Sequence, residues 1–414
     1  MATVNSFQSL PMRSNSRSLV GLLILAWVAI GEAPAMAQEP AGRFVDGPLT
    51  WTPTLLLRDA GTDSNVFNTP TDPKRDTTAS FMPQADATLG LGVARVHAQG
   101  AVEFLYFERY QQERAVNGRL NTRVELPNRR IKPAVSYAWA KVRERATSEI
   151  DLRAPRTEEG YGAALDTPLA SRSTLTLGVS RQSIVYEPGY SYFGLELSSL
   201  LDRHESVANA IVRTTLSPLT HLTTEVSVGR DEFLRQPNRD TDNLRANIGL
   251  QFAPDAVISG HAVVGYHAMR PRMTAASPTD AETFTGITSS VDLTFTLLDR
   301  TKVTGRLARD TTYSASSTQP FYLSTAASVD VIHALFGPVD LLAHGGREKL
   351  GYAATVFAAA RTDFVDVVGG GLSLRLSPAS RWSATIDDAT RRSTEGVLFG
   401  YSRRRIFTSV TYGF

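Results

Sequence analysis

The 414-residue chain contains no cysteine. That excludes a disulfide framework and any thiolate metal site. After residues 19–30 there is no second long apolar run, so no spanning helix is expected. Charge of one sign is also missing. The chain has 43 Lys and Arg against 41 Asp and Glu, a formal net charge of +2. That balance gives no basic footprint for nucleic acid, and no nucleic-acid partner is expected. Familiar catalytic patterns are absent too. None of His97, His204, His221, His261, His267, His333 and His344 belongs to an H-E-x-x-H pair, and there is no G-x-S-x-G elbow. His261 and His267 share a strand face about 20 Å apart, at ~3.3 Å per residue, and cannot share a metal there. No catalytic residue, metal or cofactor is expected.

What is present starts with an address. Arg13 and Arg17 precede an apolar run over residues 19–30, followed by Ala35-Met36-Ala37. A basic start, an apolar stretch and a small-x-small cleavage site form a secretory signal peptide. The run is shorter than the roughly 20 residues a membrane anchor needs. Residues 1–37 are read as the signal peptide, with Gln38 as the mature start. Residues 38–48 are read as a periplasmic segment, and residues 49–414 as one domain.

Through that domain the hydrophobic period is two. Val96, Ala98, Val102, Phe104 and Tyr106 oppose Arg95, His97, Gln99 and Glu103. Leu120, Thr122, Val124 and Leu126 oppose Arg119, Asn121, Arg123 and Glu125. Leu244, Ala246, Ile248, Leu250 and Phe252 oppose Asn243, Arg245, Asn247 and Gln251. In residues 301–307 the same alternation holds, then breaks at Ala308 and Arg309. Strand side chains alternate faces, so each segment has one greasy face and one wet face.

The connections alternate in length. Short turns stand at 90–92, 127–130, 167–169, 217–219, 253–255, 298–300, 336–338 and 376–378. Longer polar stretches stand at 59–74, 110–114, 145–156, 187–203, 235–240, 271–281, 311–320, 351–360 and 391–405. A sandwich has no reason to sort loop lengths by strand end, whereas an outer-membrane barrel does. The pattern predicts an all-β fold: a single transmembrane antiparallel up-and-down barrel of about 18 strands. Unpaired backbone groups are costly in hydrocarbon, so residues 49–58 must pair with residues 406–414. Aromatic residues such as Trp51, Phe104, Trp139, Tyr161 and Trp382 fall mostly on the greasy face, as membrane-interface girdles require. The final strand alternates to Tyr412 and Phe414, like the terminal signal read by the barrel assembly machinery. Lipid and lipopolysaccharide of a Gram-negative outer membrane are the other expected partners.

A barrel of this size holds an aqueous interior. Its inward charges are expected to include Arg95, Glu103, Arg119, Arg123, Glu125, Lys132, Arg245, Lys302, Arg306, Asp310, Asp330, Asp340 and Arg375. Two readings stand. The charges form a salt-bridged wall that keeps the interior wet, or a basic stripe that guides anionic solutes or polysaccharide. The stretch Arg58 to Phe67 is rich in oxygen ligands that calcium would accept. It lacks the spacing of a calcium loop and is read as a turn held by Asp and Asn side chains. Residues 351–360 are unusually apolar for an external loop and are expected to fold inward or to pack on a neighbour.

The strand at residues 52–58, the stretch Asp63-Ser64-Asn65-Val66-Phe67 and the ending Val410-Thr411-Tyr412-Gly413-Phe414 resemble the putative β-barrel porin 2 family. The five-residue stretch matches that family's D-[SD]-N-[VI]-[FY] opening. The resemblance covers the whole mature chain. It implies a porin-like barrel, in some members linked to exopolysaccharide export, and it transfers no catalytic residue. The expected function is a pore for polar solutes or exported polysaccharide. A closed or plugged barrel with a structural or adhesive role is the alternative, and an outer-membrane lipid-modifying enzyme is a third.

Overall fold

The structure, a computed structural model, describes residues 43–127, 130–254, 256–272 and 283–413. The expected signal peptide and Phe414 lie outside the described residues, as do parts of the connections at 127–130, 253–255 and 271–281. Eighteen antiparallel strands form one closed ring. They are β1 (Leu49–Asp63), β2 (Asp76–Leu91), β3 (Ala94–Phe107), β4 (Ala115–Glu125), β5 (Lys132–Arg145), β6 (Arg153–Ala170), β7 (Ser173–Tyr186), β8 (Arg203–Ser217) and β9 (Thr220–Phe233). The ring continues with β10 (Thr241–Phe252), β11 (Ile258–Pro271), β12 (Phe284–Leu297), β13 (Thr301–Tyr313), β14 (Phe321–Phe336), β15 (Val339–Tyr352), β16 (Arg361–Ser377), β17 (Ser380–Ser393) and β18 (Tyr401–Gly413). Each strand pairs with its neighbours in sequence. A short strand, Phe44–Asp46, hairpins onto the start of β1.

Closure occurs where expected. β1 pairs with β18 from Thr54 opposite Gly413 to Asp63 opposite Arg405. The ladder slips once: Leu57 faces Val410, but Ala60 faces Thr408. Asp59 takes a positive φ of 53° at this bulge, where one extra residue is accommodated. The bulge lets β1 continue to Asp63, past the loop start expected at residue 59.

Loop lengths sort by end. Connections on the N-terminal side of the barrel run two to six residues, and those on the far side run seven to sixteen. Leu298 and Asp299 both have positive φ, the backbone of a tight hairpin matched to strand twist. One expected turn is misplaced. Thr167, Pro168 and Leu169 belong to β6, and the turn sits at Ser171-Arg172. Pro168 lacks a backbone donor, yet it sits at the strand end beside a register shift, where that loss is tolerated. β13 also runs through Ala308 and Arg309 to Tyr313. Arg309 ends the apolar alternation because it points outward near the loop end, donating to the Ile287 carbonyl at 3.1 Å.

The outer face carries the apolar residues of every strand. Val102, Phe104, Tyr106, Val116, Leu120, Leu244 and Ile248 are exposed. Paired backbone inside and apolar side chains outside are what hydrocarbon demands.

Candidate functional site

The concave side of the ring has two zones. Between the short-turn mouth and the long loops the wall is charged, and the charges meet in pairs. Arg58 Nη2 donates to Glu103 Oε1 at 2.6 Å across the intervening β2, a reach possible only from inside the curve. Glu103 also accepts from Ser80 and Asn117. Arg119 lies 2.9 Å from Glu144 and 3.9 Å from Glu103. Arg95 and Arg123 both lie 3.6 Å from Glu125, with His97 beside them. On the other wall Arg245 reaches Asp310 at 3.0 Å. Arg306 sits between Asp292 and Asp330. Asp340 faces Arg375 at 3.4 Å and Arg381 at 3.2 Å. Lys132 is exposed and Lys302 half-buried at the short-turn mouth. A recess of about 400 Å³ opens at that mouth beside Arg43, Asp86, Arg95 and His97.

Towards the long-loop end the interior is crossed by loops. The connection 146–152 leaves β5 and docks half-way round the ring. Ser148 Oγ donates to Glu348 of β15 at 2.6 Å. Arg391 of β17 donates to the Ser148 and Glu149 carbonyls and to Asp151 at 3.1–3.2 Å. The Glu149 carboxylate accepts from Ser314 Oγ at 2.6 Å and from the Ala315 amide at 2.9 Å. Tyr192 Oη donates to the Glu149 carbonyl at 2.7 Å. Four connections therefore meet at one segment: 64–75 through Asn68 on Asp151, 187–202, 314–320 and 146–152 itself. Burial pushes the Asp151 carboxyl above its ordinary value, against the pull of Arg145 and Arg391. Burial, then the nearby Asp151, also pushes the Tyr192 hydroxyl up.

Apolar side chains lock this arrangement. The helix α1 (Leu197–Leu201) buries Leu197, Leu200 and Leu201 against Ile150, Ile184, Tyr186, Phe233, Met269, Tyr313 and Phe321. Burying a leucine side chain is worth about 1.5–3 kcal/mol, so three of them far exceed a typical loop's marginal stability.

A sequence model of the family described as "Putative beta-barrel porin 2" matches residues 39–414. The chain belongs to this porin family. The porin is also similar in fold to solved outer-membrane channels. It matches Pseudomonas aeruginosa OpdK, solved with vanillate, at 12% identity and TM-score 0.50, covering 88% of this chain and 99% of that one. It matches OpdO of the same organism at 11% identity and TM-score 0.50, covering 88% and 97%. A BenF-like porin from Pseudomonas fluorescens Pf-5 matches at 10% identity and TM-score 0.50, covering 88% and 98%. At such identities the likeness is one of fold. No curated protein matches the chain.

Within the porin, the inward charges expected on β3 and β4 divide into two groups. Glu103 and Arg119 meet Arg58 and Glu144 in the long-loop half of the wall, while Arg95, Arg123 and Glu125 meet near the short-turn mouth. His267 is nearly fully buried, bonded to Asn243 and close to Asp310, whereas His261 touches Ser290. The oxygens of the Asp63 stretch are used locally. Asp63 accepts from the Asn65 amide and from Arg403, and Asn65 accepts from Thr69. The side-chain-held turn expected over residues 58–67 is thus confined to its second half, because residues 58–63 belong to β1.

Of the two expectations for residues 351–360, burial inside the barrel fails, because Val356 is 72% and Phe357 77% exposed; packing on a neighbouring molecule is the other. Only the flanks of this connection are held, by Gln319 on the Ala353 and Ala359 carbonyls. The docking residues Glu149, Asp151 and Arg391 were missed. The available signal was the run Leu195 to Leu201, which carries four leucines inside a polar connection.

Proposed function

We propose that this porin is a pore for small polar solutes, narrowed from the long-loop side by residues 146–152. The carrying observation is that this segment docks across the ring chiefly through polar contacts while the wall below stays charged. A charged, solvated wall favours polar solutes. A segment fastened across the interior favours small solutes over an exported polysaccharide chain. The proposal includes export by residues 1–37 and assembly into a Gram-negative outer membrane through a terminal signal at Tyr412 and Phe414. Single-channel recording of the refolded chain in a planar bilayer tests the pore. Steady ohmic steps support it. A folded, heat-modifiable barrel without conductance moves the weight to a plugged structural barrel, which the apolar cluster around α1 favours.

The wall residues Arg95, Glu103, Arg119, Arg123, Glu125, Lys132, Arg245, Lys302, Arg306 and Arg375 are proposed to line the path. Because most of these cations lie against carboxylates, each contributes modestly to ion preference. Replacing Arg119 and Arg123 with Gln should shift the cation-to-anion permeability ratio roughly twofold towards cations. An unchanged reversal potential in a salt gradient would remove both residues from the path.

Acidity should tighten the narrowing. Asp151 has a raised pKa in the docked segment, so protonation favours docking. That stabilisation is complete below the ordinary carboxylate pKa and is lost as pH rises through the raised value. Conductance should fall as pH drops through this window. Asp151→Asn should flatten the response. A wild-type conductance that rises on acidification contradicts the assignment.

A further inference from the structure

Near the long-loop end, the lipid-facing side of the barrel stops being apolar. On β18 the outward residues run Tyr412, Val410, Thr408, Ile406 and then Arg404. On β17 they run Trp382, Ala384, Ile386, then Asp388 and Arg392. On β16 Leu374, Leu372, Gly370 and Val368 precede Asp366, and on β15 Leu341, Ala343 and Gly345 precede Arg347 and Lys349. Outward direction follows from the alternation, because the neighbours Arg391 and Glu348 are buried on the loop-filled inside. The switch from Tyr412 to Arg404 lies about 20 Å up the barrel, at ~3.3 Å per residue and a tilt near 40°. That height is close to the top of an apolar band about 25 Å tall, where outward charge costs least.

The charges there are arranged and unbalanced. Asp366 is held between Arg347 and Arg392, at 2.5 Å from each. Arg404 grips Asp388 with two bonds of 2.8 and 3.0 Å. Two carboxylates thus orient three guanidiniums, with Lys349 exposed beside them. The side chains of Arg347, Arg392 and Arg404 stay 60–65% exposed. A guanidinium has five N–H donors, so each retains donors that face outward. A second stretch of wall repeats the composition: Arg181, Arg230 and Arg272 surround Glu232 and Asp242, and Arg270 stands opposite Asp242 in the ladder.

We propose that these two outward basic patches bind the phosphate groups of phosphorylated glycolipid in the outer leaflet. A planar guanidinium matches two phosphate oxygens, and several held in one row match a headgroup bearing more than one phosphate. The tethering carboxylates fix the row while leaving each patch with excess positive charge. The apolar residues directly beneath supply the surface for the acyl chains. The site lies on the outside of the barrel and does not depend on the pore being open.

Native mass spectrometry of the refolded full chain in detergent tests this. The probes are bisphosphorylated lipid A, the same lipid with both phosphates removed, and inorganic phosphate. The wild type should retain two lipid A molecules, bind the dephosphorylated lipid about tenfold more weakly, and lose little lipid A to inorganic phosphate. R347Q/K349Q/R392Q/R404Q should lose one bound lipid, and adding R181Q/R230Q/R270Q/R272Q should lose the other. Equal binding of the two lipids by the wild type overturns the proposal, and that comparison stands if a variant fails to fold. Lipid retention unchanged in folded variants overturns it as well, as does patch-dependent pairing of two chains without phosphate preference.

Discussion

Replacing residues 147–151 with two glycines is expected to raise single-channel conductance several-fold and to leave the barrel folded. The segment contributes no strand pairing, so the ring's backbone ladder survives its loss. What disappears is a bridge. Ser148 leaves Glu348, Glu149 leaves Ser314 and Ala315, and Asp151 leaves Arg391. Ile150 also leaves the apolar cluster around α1, where it is fully buried. Fixed backbone across a pore excludes water and ions from the volume it occupies. Removing it widens the path where the other loops also converge.

The magnitude separates two bottlenecks. If residues 146–152 are the narrowest element, conductance rises in the deletion alone. If the α1 cluster is narrower, the deletion changes little, and replacing Leu197, Leu200 and Leu201 with Ser opens the path instead. A folded deletion variant with unchanged conductance would therefore remove residues 146–152 from the proposed role. Arg391 adds a second readout. It is nearly fully buried, and its other partner, Asp363, is buried too. Arg391→Ala should loosen the bridge, but it also strands a buried carboxylate beside Arg361, so a thermal shift should accompany any change in conductance.

The barrel was legible because hydrocarbon imposes a simple rule. Val102, Phe104 and Tyr106 must face lipid, Arg95 and Glu103 must not, and the period of two follows. Loop lengths then gave the strand count and the closing pair. The interior was less legible, since lipid does not constrain it. Phe233, Met269, Tyr313 and Phe321 occupy inward positions that a purely wet lumen would give to polar residues. They are apolar because α1 and Ile150 pack on them, a contact between segments far apart in sequence. The inward fold expected of residues 351–360 misled for a related reason. Apolar composition in a loop shows that something could be buried, but not that a partner surface exists. The strand ends were blurred where a bulge at Asp59 or an outward Arg309 interrupted the alternation without ending the ladder.

The seam between the first and last strands should be the most sensitive point of the barrel's stability. Asp63 closes β1 and is almost fully buried. It accepts from Arg403 of β18, with Nε at 2.9 Å from both carboxylate oxygens, and also from the Asn65 amide. Asn65 in turn donates to the Ser402 carbonyl at 3.1 Å, and Ser64 lies against Arg404. The Ser64 bonds are one of each kind, its amide donating to the Arg404 carbonyl and its hydroxyl accepting from the Arg404 amide, so one short stretch satisfies the end of the seam and starts the turn above it. Asp63→Ala leaves Arg403 buried without that partner. Breaking such a pair typically costs 3–5 kcal/mol, because the remaining charge stays desolvated. Barrel unfolding is followed as a rate, so the expected result is a marked drop in the temperature at which the compact gel band converts to the extended one. Asp63→Ala with Arg403→Met should recover most of the loss, since both charges are then gone and the apolar replacement fills the space. Asp63→Asn should fall between, keeping the turn's acceptor oxygen but not the charge. A single variant as heat-resistant as the wild type would show that the seam is held by its backbone ladder alone. A double variant no better than the single would show that Asp63 acts through the turn at Asn65 and not through Arg403.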